Sequence, residues 1–154
     1  MIDITDELKK LVANLENQDI DYALCGGMAM AVHQLPRMTV DIDLVIEPES
    51  VDAVMAIASR LGYTIRGMDM SFAQGAVEIR RISKIDAEAG DLLSLDFLLV
   101  TPEIRSAWED RIEVSWEGGN LKVVSREGLI HLKSLRRSGQ DLDDIEALKG
   151  EAHG

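Results

Sequence analysis

Nine consecutive residues, Leu92 to Val100, read LLSLDFLLV. A run this apolar, without polar alternation, predicts a central strand buried on both faces. Such a strand demands a sheet covered by helices. One charge interrupts it, Asp96. A carboxylate in that setting needs a partner or a cation. Two readings stand: an ion pair with an arginine such as Arg37 or Arg80, or a metal site.

The remaining chain supplies helices and strands in mixed order. Leu8, Leu11, Val12 and Leu15 recur at helical spacing, so Ile4 to Leu15 is expected to be a helix, with Thr5 as its N-cap. Ile20 to Cys25 reads as a short buried strand, Met28 to His33 as a small-residue helix, and Leu35 to Thr39 as a loop. Val40 to Ile46 alternates clearly enough for a strand. Pro48 opens a helix that runs to Leu61 and stops at Gly62. Tyr63 to Arg66 and Ala76 to Ile82 read as strands separated by a loop, with Val77 and Ile79 on one face of the second and Glu78 and Arg80 on the other. A short helix from Pro102, a hairpin joining Ile112–Trp116 to Leu121–Val124, a helix capped by Ser125 and a last helix over Asp141–Leu148 complete the chain. The fold class is therefore α/β or α+β.

Composition narrows the function. The formal net charge is −12, which argues against a general affinity for DNA or RNA, because phosphate-neutralising surfaces are basic. The single cysteine, Cys25, permits no internal disulfide. No apolar run approaches the roughly 18 residues of a membrane span, and the acidic start MIDITDELKK is not a signal peptide. A cytoplasmic location is the default expectation.

Two local patterns bear on chemistry. Gly26-Gly27 falls at a strand-to-helix turn, where glycine lets backbone N–H groups approach a phosphate; the alternative is a plain tight turn. Asp41-Ile42-Asp43 lies on a strand, so both carboxylates point to one face. Two like charges there repel unless a cation lies near. The alternative is the solvated face of an edge strand. Lys133 and Arg137 sit four apart on one helix face, suited to phosphate or simply to solvent. His33 and His131 lack companions at metal-ligand spacing, and Cys25 reads as a small core residue.

Cys25-Gly26-Gly27 followed by Pro36-Arg37-Met38-Thr39-Val40-Asp41-Ile42-Asp43-Leu44 resembles the nucleotidyltransferase superfamily signature, in the form of the minimal members and the AbiEii toxin-like group. Asp96 in Ser94-Leu95-Asp96-Phe97 resembles the later strand carboxylate of that family, and the stretch from Gly128 to Ile145 resembles its C-terminal helices. Gly27 stands where many members have Ser, and Gln140 where relatives often carry Lys. The resemblance implies one nucleotidyltransferase-like domain over residues 1–150, a mixed sheet flanked by helices, with 151–154 as a tail.

It also implies a reaction: transfer of a nucleoside monophosphate from an NTP to a hydroxyl acceptor, whether small molecule, protein or RNA. Asp41, Asp43 and Asp96 would bind Mg²⁺ or Mn²⁺ and carry the catalysis. Gly26, Gly27, Arg37, Lys133 and Arg137 would bind the nucleotide, though Arg37 also suits a pair with Asp43 or Asp96. A different class stays open: a toxin–antitoxin-type regulatory protein of the same fold, acting through an antitoxin-like partner with little or no catalysis.

Overall fold

The computed structural model describes residues 3–33, 41–88, 90–116, 119–136 and 139–153. Helix α1 spans Ile4–Asn17 and buries Leu8, Leu11, Val12 and Leu15, the stripe its spacing predicts. Its cap is Asp3, not Thr5. The Asp3 backbone is extended, and its carboxylate accepts from Thr5 N at 3.0 Å and Asp6 N at 3.2 Å. Strand β1 (Ala23–Cys25) is shorter than the expected Ile20 start. Ile20 N still donates to Leu15 O at the helix end, and Asp19 takes a left-handed φ of 55° to turn the chain.

Helix α2 (Gly26–Val32) begins at Gly26 itself. Strand β2 covers Asp41–Ile46. A single 3₁₀ turn, Pro48–Ser50, leads into helix α3 (Val51–Arg60). Strand β3 is only Ile65–Arg66, and the expected loop after it contains a further strand, β4 (Met70–Phe72). Strand β5 runs Val77–Asp86, four residues beyond the expected end at Ile82. Pairing supplies the reason: β5 and β6 (Asp91–Leu99) stay in antiparallel register out to Asp86 opposite Asp91, so ladder bonds hold residues that alternation alone left unassigned.

Helix α4 (Arg105–Glu109) precedes the hairpin of β7 (Ile112–Trp116) and β8 (Gly119–Val123). Helix α5 (Arg126–Arg136) is capped by Ser125, whose Oγ accepts from Gly128 N at 3.1 Å. Helix α6 spans Gly139–His153, longer at both ends than the stretch its apolar residues suggested.

The strands form one mixed sheet in the order β3-β5-β6-β2-β1-β8-β7, with β4 on β5. At its centre β2 and β6 run parallel, Asp41 opposite Ser94 through Ile46 opposite Leu99. Leu95 and Phe97 are buried, as the apolar run requires. Helices cover both faces. On one, Glu7 of α1 receives Tyr63 Oη at 2.9 Å and Lys84 Nζ at 2.6 Å. On the other, α5 and α6 lie over Cys25, Asp43 and Leu98. Among the described residues, no helix is long and apolar enough to cross a membrane.

Gly128 sets how closely α5 approaches. A Cβ there would lie 2.6 Å from Val124 Cγ1 and 3.3 Å from Ala107 Cβ. Gly128→Val is expected to lower stability by about 1–3 kcal/mol through overpacking. Gly150→Ala, where a Cβ meets nothing within 4 Å, should be neutral or raise stability by up to about 1 kcal/mol. Urea denaturation of both variants checks the contrast.

Candidate active site

Register assembles the site before any side chain is considered. Residues paired across strands share a face. Cys25 stands opposite Asp43, Asp43 opposite Asp96, and Asp96 opposite Arg81, so one row crosses β1, β2, β6 and β5. The next row holds Asp41, Ser94 and Ser83. Ser83 and Ser94 are buried and hydrogen-bonded to each other at 2.8 Å. Two rows therefore put three carboxylates and one guanidinium on a single face.

Gly26 touches this row directly. Its φ is +69°, a conformation that favours glycine, and a Cβ there would lie 2.7 Å from Asp43 Cγ and 2.9 Å from Asp43 Cβ. The position has no room for a side chain. Gly27 follows, buried in the first turn of α2, which carries no side-chain cap.

The carboxylates are unequal. Asp43 has its pKa pushed up to about 7, by burial first and then by the charges of Asp96 and Asp41, with Arg136 and Lys133 pulling it down. Asp41 is raised as well, by burial and then by Asp96. Asp96 is buried and takes a bidentate pair from Arg81, Nε to Oδ1 at 2.6 Å and Nη2 to Oδ2 at 2.8 Å. The arginine reading of Asp96 thus holds, but through Arg81. Arg80 points to the opposite face and pairs with Asp69 at 3.4 Å and Glu78 at 3.5 Å. Among the described residues, no group of three His, Cys, Asp or Glu side chains is arranged to hold an ion.

A narrow cleft opens above the row. Cys25, Gly26, Asp43 and Leu98 line its floor, and Leu129, Leu132, Lys133, Arg136 and Asp141 its roof. Lys133 is not on a solvated helix face. It is buried, with Nζ 2.8 Å from Asp144 and 3.9 Å from Asp141 on α6. Arg136 lies at the cleft edge, its guanidinium 5.4 Å from the Phe72 ring. Arg37 and Arg137 lie outside the described residues. His33 and His131 each bond a backbone carbonyl, of Val124 and Glu103 respectively, and take no part in the cleft. Burial holds the Cys25 thiol well above its usual pKa, which suits a core residue and not a nucleophile.

Sequence reasoning missed Arg81, Asp141 and Asp144 as partners. The signal for Arg81 was present: strict alternation from Val77 and Ile79 puts it on the apolar face, where a charge needs a reason.

A mixed sheet carrying a glycine turn against an Asp-x-Asp strand defines the nucleotidyltransferase fold class, and solved structures of that class superpose on it. A Thermotoga maritima protein assigned as a nucleotidyltransferase matches with a TM-score of 0.63 at 15% identity, covering 97% of this chain and 92% of its own. ANT(2'')-Ia, solved with adenylyl-2''-tobramycin, matches with a TM-score of 0.64 at 15% identity over 97% and 88%. The lincosamide antibiotic adenylyltransferase LnuA, solved with lincomycin, matches with a TM-score of 0.55 at 16% identity over 94% and 95%. No curated protein sequence matches significantly. Residues 9–133 match the family described as nucleotidyl transferase AbiEii toxin, Type IV TA system, and the chain belongs to that family.

The raised Asp43 pKa has a signed consequence. Native Asp43 keeps a proton that an unfolded Asp has released between its ordinary 3.8 and about 7. Native protein thus binds more protons in that window, and stability is expected to fall as pH rises through it. Asp43→Asn should flatten the dependence. Urea denaturation at stepped pH from about 5 to 8 checks both curves; parallel slopes for the two proteins would contradict the burial of this charge.

Proposed function

We propose that the protein moves a nucleoside monophosphate from an NTP to a hydroxyl acceptor, with release of pyrophosphate, using Mg²⁺ or Mn²⁺ at Asp41 and Asp43. The observation that carries the reading is the contact of Gly26 with Asp43. It brings a side-chain-free turn and an uncapped helix start against a half-buried carboxylate pair. Phosphate oxygens need the first of these and a hard cation needs the second.

The donor set fits such a cation in part. Asp41 and Asp43 are carboxylates on one face, each destabilised in its charged form by burial and by Asp96, and so favoured by added positive charge. Asp96 stands beside them with both oxygens engaged by Arg81. The bound ion would supply charge neutralisation for the triphosphate and the leaving pyrophosphate. The chain's own groups do the rest. Gly26 and Gly27 let backbone N–H groups reach phosphate oxygens. Lys133 and Arg136 bring positive charge from the roof. Arg37 and Arg137 keep the nucleotide-binding role that the family implies. Catalysis is then positioning and charge stabilisation, as in other phosphoryl transfers.

The test is transfer from α-labelled NTPs, each with Mg²⁺ or Mn²⁺, onto separated small-molecule, protein and RNA pools. A labelled product that disappears with chelator is expected. Asp41→Asn and Asp43→Asn should each lower the rate by about 10²-fold or more, matching the several kcal/mol that an ion contributes. Unchanged rates in both variants would end the reading.

The family description, a toxin of a type IV TA system, supports a second reading: an antitoxin-type protein partner. Co-expression with the product of an adjacent reading frame tests it. Stable co-purification with little transfer activity would favour a regulatory role over catalysis.

A further inference from the structure

Asp96 has its charge met by a single side chain, Arg81. Both oxygens accept from one guanidinium, at 2.6 and 2.8 Å, in the fork geometry that makes arginine–carboxylate pairs strong. The Asp96 side chain is 7% exposed, so losing its partner would leave a buried, uncompensated charge.

Arg81 is held in its turn. Gly67 lies against its stem: a Cβ there would sit 3.2 Å from Arg81 Cβ and Cγ and 3.3 Å from Cδ. Gly67 N donates to Arg81 O at 3.0 Å, and Arg66 Nη1 donates to the same oxygen at 2.9 Å. A guanidinium is not deprotonated in proteins, so the charge Arg81 brings to Asp96 is permanent, and the contact raises its pKa further. Arg66 and Gly67 therefore fix the backbone and stem of the arginine that meets Asp96, in the row that also holds Asp43.

We propose that Arg81 is a resident cation standing where a second metal ion would otherwise be held: it occupies both oxygens of Asp96 and leaves Asp41 and Asp43 to bind a single divalent ion. The assignment rests on the metal reading of Asp41 and Asp43. Two-ion sites share bridging carboxylates across about 3.5–4 Å. A guanidinium already in bidentate contact removes one carboxylate from that sharing and supplies its positive charge without a dissociable ion. Arg81 is thus a positioning residue that fixes the metal count.

The test counts Mn²⁺ bound per chain by electron paramagnetic resonance, with inorganic triphosphate as a base-independent probe and a protein-free mixture subtracted. The native protein is expected to bind one ion, and Arg81→Gln two. Two ions in the native protein, or one in both, would overturn the assignment and leave the metal reading standing. No protein-bound ion in either would remove the metal reading, and the assignment with it. The native count needs no substitution. If Arg81→Gln does not fold, Gly67→Val, which presses on the arginine stem from outside the site, takes its place with the same outcomes.

Discussion

Parallel pairing of β2 with β6 places Asp43 beside Asp96 in the most apolar part of the sheet. Everything else at the site answers that juxtaposition. Two carboxylates side by side, one buried and one half-buried, cannot both stay charged without compensation. The molecule meets the demand in two ways. Asp96 receives an arginine from β5, and Asp43 faces a cleft roofed by Lys133 and Arg136. The difference in compensation separates a satisfied acid from one left responsive to a ligand.

The roof depends on charge as well. Lys133 is buried between α5 and α6, paired closely with Asp144 and more distantly with Asp141. A buried ion pair is weak evidence for stability, since desolvation offsets much of the attraction. Its effect here is geometric: it ties α6 to α5 above Asp43. Gly128, pressed on Val124 and Ala107, sets how closely α5 packs on α4.

Much of this was legible in the residues. The apolar run around Asp96, the alternation of Asp41 and Asp43, and the glycine pair before them predicted the central strands and the site's face, because period and polarity act within one segment. What stayed hidden depends on pairing between segments. The extension of β5 to Asp86 is set by its partner strand, and β4 exists only because β5 offers it an edge. Lys133 looked solvated because its helix face is read against water, whereas α6 supplies two acids to cover it. The Arg81 pair was half legible: its face followed from alternation, but its partner required knowing that β5 lies next to β6.

The contact of Gly26 with Asp43 also bears on how such a sequence can drift. Two motifs that look separate, a glycine turn and an acid on a later strand, occupy one volume. A side chain could enter at position 26 only if position 43 shrank and the turn were rebuilt with a different φ. The first change at 26 is therefore closed while the acid stays in place. The dependence runs one way: the acid at 43 can be exchanged with the turn intact, whereas a side chain at 26 displaces the acid.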